Sequence, residues 1–311
     1  MILSLLSSRR KHSKIAAANN LMPEEQWTIS KLIQITADFF SQKNIENPKL
    51  DAELLLAHVL GLRRIDLYMK YDLPLSQGEI SNYRKLVKRR SLREPLQYIV
   101  GLQEFYSVPF FVNPDVLIPR PETEVLVERV IMRAKEILLS PNILDLCTGS
   151  GIIAVVLERE LPKSKISASD ISSKAIDIAI KNASTISGGT KISFFEGDVF
   201  KALPDNSPSF NIIVSNPPYV SAEEYKHLQP EISQYEPKIA LYGGESGMDI
   251  IMNIIMNAHN YIVSGGLLML EMAPGQIDPA VGLLKNSGFW KDVCCFKDYS
   301  GKIRFLEAFR I

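Results

Sequence analysis

The sequence contains few residues of the kinds that form disulfides or bind metals. It has three cysteines and four histidines in 311 residues, and two of the cysteines, Cys294 and Cys295, are adjacent. A small, odd number of cysteines is a poor basis for a disulfide framework. No CxxC pair or HExxH spacing indicates a protein-ligated metal. We therefore predict a protein of a reducing compartment, with no metal centre.

An excess of charge and a long hydrophobic run are also absent from the sequence. The 35 Lys and Arg residues balance 35 Asp and Glu residues, so the formal net charge is zero. This balance excludes a generally polycationic protein that coats nucleic acid, and also an acidic disordered protein. No run of about 18 apolar residues occurs, so we expect neither a membrane span nor a membrane partner.

Residues 1–26 form a basic N-terminal segment. Four basic residues lie between positions 9 and 14, and no acidic residue precedes Glu24. Such a composition is typical of an organellar transit peptide, but also of a flexible bacterial N-terminus. We predict the second, a flexible tail on a cytoplasmic bacterial protein, and leave organellar import open.

Residues 27–93 carry signals of helices and none of strands. An Asn-Pro pair at 47–48 precedes a segment with apolar residues at helical spacing, and Gly61 follows it. Asparagine, proline and glycine in these places are typical of a helix N-cap, first turn and C-terminus. Ser76 and Glu79 have the spacing of a capping box. This segment therefore predicts a small all-helical domain.

The pattern changes after residue 93. Short β-prone runs at 97–100, 105–112 and 116–118 are separated by glycine and proline, which predicts a hairpin-bearing linker over 94–118. From residue 119 onward, strand patterns alternate with helical ones. This alternation is typical of βαβ units whose parallel sheet is covered by helices on both faces. We therefore predict an α/β domain over 119–311.

Two features of the α/β domain indicate a nucleoside-bearing cofactor. The first strand ends in a glycine-containing turn, Asp-Leu-Cys-Thr-Gly-Ser-Gly at 145–151, where the backbone can approach a ligand. The next strand ends in Asp170, whose carboxylate can accept hydrogen bonds from both hydroxyls of a ribose. After the third strand, Asp198 is either a solvated turn residue or an acceptor for the amine of an adenine; we favour the acceptor.

The most informative segment is Asn216-Pro217-Pro218-Tyr219, which directly follows the fourth strand. Neither proline has an N–H, and the first of them favours an extended conformation at Asn216. The loop therefore presents two acceptors, the Asn216 side-chain oxygen and the Pro217 carbonyl, which suit a planar NH₂ group. Tyr219 supplies a flat face against which an amide or a base can stack.

This tetrapeptide resembles the signature of class I S-adenosylmethionine-dependent methyltransferases that act on planar amino or amide nitrogens. The segment 117–124, Leu-Ile-Pro-Arg-Pro-Glu-Thr-Glu, is similar to the HemK/PrmC family, and further similarities extend over residues 28–311. The resemblance implies a Rossmann-like, seven-stranded, doubly wound sheet after a small helical domain for substrate recognition. It also implies methylation of the N5 amide nitrogen of glutamine in the Gly-Gly-Gln motif of class I peptide chain release factors.

The resemblance further implies which residues form the site. The residues implied to contact S-adenosylmethionine are Cys147, Thr148, Gly149, Ser150, Gly151, Asp170, Asp198, Val199 and Asn216. The residues implied to form the glutamine pocket are Asn216, Pro217, Pro218, Tyr219, Phe105 and Arg120, with Asn216 and Pro217 as the catalytic acceptors. At Cys147 the sequence departs from the family, which commonly has glycine there.

The alternative function is adenine-N6 methylation of DNA or RNA, which uses the same kind of acceptor loop on a flipped base. An acid-free run with six basic residues at 84–93 is either a solvated helix face or a phosphate-binding surface. Because a nucleic-acid reader usually has a clearer basic excess, we expect no stable nucleic-acid binding. We also expect a monomer when the protein is not bound to its substrate.

Overall fold

The computed structural model describes residues 26–207 and 209–311, so the predicted flexible tail lies almost wholly outside the described residues. The chain forms two compact units, the first ending at Val100 and the second beginning at Gly101. The domain boundaries that we placed after residues 26, 93 and 118 stay predictions. No helix in the described part of the chain is long and apolar enough to cross a membrane.

The first unit is helical, as expected. Its described helices are α1 (Ile29–Gln42), α2 (Pro48–Leu60), α3 (Arg64–Met69), α4 (Gln77–Ser91) and α5 (Leu96–Val100). The predicted capping box is present at the start of α4, where Ser76 and Glu79 each accept a hydrogen bond from the other's backbone N–H. Gly61 ends α2 with a left-handed φ of 63°, whereas the Asn47 side chain makes no capping hydrogen bond.

Two of the β-prone runs do not form strands. Residues 97–100 lie in α5, because the Pro95 carbonyl accepts hydrogen bonds from the N–H groups of Tyr98 and Ile99 and starts a helical turn. Residues 116–118 are irregular, because the Ile118 N–H donates to the Glu236 carboxylate instead of to a neighbouring strand. Short apolar runs do not distinguish helix from strand by periodicity alone.

The second unit begins with the expected hairpin and continues into the sheet domain. Its strands are β1 (Leu102–Phe105), β2 (Val108–Phe111), β3 (Asn142–Leu146), β4 (Lys165–Asp170), β5 (Ser193–Glu196), β6 (Phe210–Ser215), β7 (Ile262–Glu271), β8 (Trp290–Lys297) and β9 (Ile303–Arg310). Its α-helices are α6 (Glu122–Ile137), α7 (Ile152–Glu160), α8 (Ser173–Ser187), α9 (Ala222–Lys226), α10 (Pro230–Tyr235), α11 (Asp249–Asn257) and α12 (Ile277–Ser287).

Seven strands form one sheet in the order β5-β4-β3-β6-β7-β9-β8. The first five are parallel, and β9 runs antiparallel to both of its neighbours. Successive strand residues point to opposite faces, so Ile143 packs in the core under α6 and α7, and Leu144 in the core under α11 and α12. The prediction of a seven-stranded, doubly wound α/β sheet is confirmed.

The strand order creates a crevice at the carboxyl ends of the central strands β3 and β6. The chain runs from β3 outward through β4 to β5 and then returns to β6 on the other side of β3. In open α/β sheets, ligands bind beyond the carboxyl ends of the strands at such a switch point. Here the turn after Leu146 and the loop after Ser215 diverge at that point.

Candidate active site

The turn at 147–151, after β3, is held against the end of β4 by its backbone. The Thr148 N–H donates to the Ser169 carbonyl at 3.0 Å, and the Gly149 N–H donates to Asp170 Oδ2 at 2.9 Å. The Ser172 N–H donates to the other carboxylate oxygen of Asp170 at 2.9 Å. The Asp170 carboxylate is therefore fixed at the mouth of the turn.

Cys147 has a left-handed backbone conformation, with φ of 59°. Glycine adopts this conformation without steric penalty, whereas an L side chain is strained there. A glycine, which the resemblance implies at this position, would therefore be free of this strain. Burial and the neighbouring Asp170 raise the pKa of the Cys147 thiol above its ordinary value, so the thiol stays protonated.

Asp145, in β3 just before the turn, is a buried acid that sequence reasoning left without a role. Its Oδ2 accepts hydrogen bonds from the Thr148 hydroxyl at 2.6 Å and from the Ala154 N–H at 3.2 Å. Burial raises the pKa of Asp145 to about 7. The carboxyl group joins the turn to the first turn of α7. A signal was present in the sequence, because an acid inside an apolar strand is rarely buried without partners.

A cavity of about 410 Å³ lies over the carboxyl ends of β3, β4 and β6, within the size range of small-molecule sites. Ten of the predicted site residues line it: Arg120, Cys147, Thr148, Gly149, Ser150, Asp170, Asp198, Val199, Asn216 and Pro218. Apolar side chains of Ile171 and Ile239 complete the wall. The acceptors fit a nucleoside, because the carboxylates of Asp170 and Asp198 can accept hydrogen bonds from ribose hydroxyls and from an adenine amine, and much of the remaining wall is apolar.

The wall after β5 depends on strained backbone. Val199 has φ of 50°, which is an outlier for a β-branched residue. A Cβ added at Gly197 would lie 2.6 Å from Ala202 Cα, so only glycine fits there. This close approach places Asp198 at the cavity. Lys201 Nζ lies 2.9 Å from the Asp198 carboxylate, and both side chains are exposed.

The loop at 216–219, here called the acceptor loop, begins where β6 ends. Asn216 Nδ2 donates to Thr123 Oγ1 at 3.1 Å, and the Thr123 hydroxyl donates to Glu271 Oε2 at 2.8 Å. Because the nitrogen of the Asn216 amide faces Thr123, its oxygen is the atom left to accept a hydrogen bond in the cavity. Sequence reasoning did not find this contact, and nothing in the local pattern indicates it.

Four predicted site residues do not line the cavity: Phe105, Gly151, Pro217 and Tyr219. Phe105 is 1% exposed and packs edge-on against Phe110 in the core. Gly151 packs against α8, where an added Cβ would lie 3.0 Å from Ala179 Cβ. The Tyr219 side chain packs against the core beneath α11 and α12.

Arg120 reaches the cavity with a buried partner. Its Nη2 lies 2.6 Å from Glu236 Oε1, and Glu236 is 5% exposed. Burial raises the pKa of Glu236, and the charge of Arg120 opposes this shift. The pair joins the segment before α6 to the segment after α10. Glu236 is therefore a structural partner of the site that spacing alone does not reveal.

A second segment holds the acceptor loop from behind. The Val220 N–H donates to the Leu241 carbonyl at 2.8 Å, and the Gly243 N–H donates to the Val220 carbonyl at 3.0 Å. Gln276 Nε2 donates to the Tyr219 carbonyl at 2.8 Å. An added Cβ at Gly243 would lie 2.6 Å from the Pro218 carbonyl oxygen. The acceptor loop is thus fixed by backbone contacts on both sides.

Within residues 26–207 and 209–311, no group of three or more His, Cys, Asp or Glu side chains is placed to hold a metal ion. The cavity offers the acceptors of Asp170, Asp198 and Asn216 among apolar surface, with the cations of Arg120 and Lys238 in its wall. Its chemistry is that of binding and orientation of an uncharged polar group beside a nucleoside.

Comparison with known proteins adds family matches over both units. Residues 31–101 match the PrmC N-terminal domain, and residues 121–234 match the methyltransferase small domain. A release factor glutamine methyltransferase of Geobacter sulfurreducens is 42% identical over 265 residues, which is 85% of this chain and 91% of that protein. The protein of the same description from Rhodopirellula baltica is 39% identical over 285 residues, which is 90% of this chain and 96% of that one.

Proposed function

Because the chain belongs to the release factor glutamine methyltransferase family, whose members depend on S-adenosylmethionine, we propose that it methylates the side-chain N5 of the glutamine in the Gly-Gly-Gln motif of class I peptide chain release factors. Membership of the family bears out the resemblance to HemK/PrmC proteins and the class I methyltransferase fold. It does not favour the alternative of adenine-N6 methylation, because these relatives are named for glutamine.

The observation that carries the proposal is the orientation of the Asn216 amide. Its nitrogen donates to Thr123 and the residue lines the cavity, so we assign the amide oxygen as the acceptor that meets the substrate. We assign the second acceptor to the carbonyl of Pro217, a residue with no N–H, which lies between Asn216 and Pro218 of the cavity wall although Pro217 itself does not line the cavity. A primary amide has two N–H donors, so two adjacent acceptors match its NH₂ group.

The cavity suits the cofactor by its hydrogen-bond acceptors. We assign the ribose hydroxyls to Asp170, the adenine amine to Asp198 and the remaining contacts to the turn at 147–151 and to Val199. Burial raises the pKa of Asp170. Three backbone N–H donors act against this shift, because they stabilise the ionised carboxylate. When bound, S-adenosylmethionine supplies a methyl group on a positively charged sulfur.

The acceptor loop performs two tasks on the substrate amide. The lone pair of an amide nitrogen is delocalised into its carbonyl, so the group is a poor nucleophile. Acceptors that hold both hydrogens localise this lone pair and fix its direction. They also stabilise the positive charge that develops on nitrogen. No titratable base is needed before transfer, because the methylated amide loses its proton readily afterwards.

We also propose that the helical first unit recognises the release factor, and that the protein acts as a monomer in the bacterial cytoplasm without stable nucleic-acid binding. The balanced net charge supports the last point. A mobility-shift assay with DNA and RNA at low salt tests it. Salt-sensitive binding with transfer of methyl groups to nucleic acid would overturn it.

The proposed activity is tested with labelled S-adenosylmethionine and purified class I release factors, followed by mass spectrometry of the Gly-Gly-Gln peptide. We expect one methyl group on the glutamine. Asn216→Ala is expected to lower kcat by about 10²–10³, as removal of one preorganised group does at comparable sites, while calorimetry finds that cofactor binding is kept, because the turn at 147–151, Asp170 and Asp198 supply the other contacts. Asn286→Ala, at an exposed position of α12, is the matched control. Turnover by Asn216→Ala equal to that of the control would refute the assignment.

A further inference from the structure

We propose that Thr123 and Glu271 are positioning residues that set the direction of the Asn216 amide, so that its oxygen and not its nitrogen faces the substrate. This inference rests on the proposed function, because it assigns to Asn216 the role of acceptor. The three residues come from distant parts of the chain: the first turn of α6, the loop after β6 and the last residue of β7.

The three side chains form one hydrogen-bonded chain that leads away from the cavity. Asn216 Nδ2 lies 3.1 Å from Thr123 Oγ1, which lies 2.8 Å from Glu271 Oε2. Thr123 is 0% exposed and Glu271 is 1% exposed, so water does not compete for these hydrogen bonds. Of the three, Asn216 alone lines the cavity.

The carboxylate of Glu271 sets the donor and acceptor roles in these hydrogen bonds. An ionised carboxylate can only accept, so the Thr123 hydroxyl must donate to Glu271. The hydroxyl has one hydrogen, so its oxygen can then only accept from Asn216. The amide nitrogen must therefore face Thr123. An amide oxygen and nitrogen are nearly equal in size, so without this constraint either could face the substrate.

Reversal of the donor and acceptor roles in these hydrogen bonds requires a proton on Glu271. A protonated carboxyl can donate to Thr123, whose hydroxyl can then donate to the amide oxygen of Asn216 and turn the NH₂ group into the cavity. Burial, with a smaller effect from the charge of Glu122 on α6, raises the pKa of Glu271 to about 7, although the hydrogen bond from Thr123 lowers it. Arg304 on β9 and Arg120 in the preceding loop lower it, and the neutral phenol of Tyr219 lies nearby. The acceptor orientation is therefore sensitive to pH near neutrality.

The first test compares Thr123→Val with Thr123→Ser. Valine keeps the shape but removes the hydroxyl, and we expect kcat to fall by roughly 10- to 100-fold with little change in the KM for S-adenosylmethionine. Serine restores the hydroxyl and is expected to recover most of the activity. Thr185→Val, at an exposed position of α8, is the control for the substitution itself. Thermal unfolding and cofactor calorimetry identify a variant that has simply lost its fold.

A double-mutant comparison separates positioning from a general structural role. If Thr123 acts through Asn216, Thr123→Val in the Asn216→Ala background causes no further loss of kcat, whereas independent effects would multiply. Multiplication of the two effects, or wild-type kcat in Thr123→Val, would overturn the inference. Wild-type kcat in Asn216→Ala would instead overturn the proposed function, so the two failures are distinguishable.

The pH profile of kcat is the third readout. In the wild type we expect kcat to fall on the acid side with an apparent pKa near that of Glu271, about 7. Glu271→Gln has no proton to gain, so its profile is expected to lose this acid limb, with a lower plateau because glutamine no longer fixes the direction of the chain. An acid limb that persists unchanged in Glu271→Gln would contradict the role of this carboxyl group.

Discussion

Replacement of Gly243 by alanine is expected to displace the acceptor loop and slow methyl transfer while the sheet stays folded. Gly243 lies behind the acceptor loop, and its N–H donates to the Val220 carbonyl at 3.0 Å. An added Cβ would lie 2.6 Å from the Pro218 carbonyl oxygen and 2.8 Å from Tyr219 Cα. Both neighbours are backbone atoms, so the conflict cannot be relieved by a change of rotamer.

The magnitude follows from the distance that must be opened. Real Cβ atoms essentially never approach closer than 3.0 Å, so the Pro218 carbonyl must move by at least 0.4 Å from its 2.6 Å position. A misplacement of about 1 Å in a catalytic site costs about 10²-fold in rate. A shift of roughly half that size is expected to lower kcat about tenfold. Overpacking of this kind also destabilises a protein by about 1–3 kcal/mol.

The assay measures kcat on a release factor, cofactor affinity by calorimetry and the free energy of unfolding in urea. Gly282→Ala is the matched control, because an added Cβ there meets nothing within 4 Å and the residue lies inside α12. Alanine inside a helix is expected to stabilise the protein by about 0.5–1 kcal/mol and to leave kcat unchanged. Equal kcat in the two variants would refute the reasoning that Gly243 sets the position of the acceptor loop.

Three further predictions concern stability, each measured by urea unfolding. Cys147→Gly relieves the strain of a left-handed side chain, worth about 1–2 kcal/mol, but the added freedom of the unfolded chain costs about 0.5–1 kcal/mol, so we expect a net gain of up to about 1.5 kcal/mol; a clear loss would contradict this. Glu271 keeps its proton to a higher pH in the folded state than in the unfolded state. The free energy of unfolding of the wild type is therefore expected to fall relative to that of Glu271→Gln, by up to about 3 kcal/mol, as pH rises from about 4.5 to about 7. A difference between the two proteins that does not change with pH would refute the pKa shift. Glu307→Gln leaves two partly exposed arginines, Arg129 and Arg133, without their buried partner, and is expected to cost about 2 kcal/mol; no loss would mean that water replaces the carboxylate.

Local patterns in the sequence were sufficient to predict most strands of the sheet. One strand ends at Asp170 and another ends directly before Asn216, as we expected, because each is a short β-prone run that ends at a polar residue. The capping box at Ser76 was also predictable, since both of its partners lie within one turn. Where the signal is contained in a few neighbouring residues, sequence reasoning succeeds.

The contacts that orient the candidate site could not be predicted in this way. Thr123 and Asn216 are 93 positions apart, and Gln276 and Tyr219 are 57 apart. Their meeting depends on the strand order, which brings the ends of β6 and β7 together, and no local pattern encodes it. The same holds for Glu271, whose burial follows from its place in the sheet and not from its neighbours in the chain.

A β-bridge between Val220 and Tyr242 brings the two ends of the intervening segment together. The chain leaves the acceptor loop at Val220 and returns beside the same residue, so the segment 221–241 is closed at its base by backbone hydrogen bonds. Because each doubling of loop length costs only about 0.6 kcal/mol, such a segment can be lengthened or exchanged while its base stays fixed. It also carries Lys238 and Ile239 into the cavity wall. Exchange of this segment between relatives would therefore change the part of the cavity wall that Lys238 and Ile239 form, and would keep the rest of the wall in place only where a carboxylate at position 236 still holds Arg120 and the Ile118 N–H.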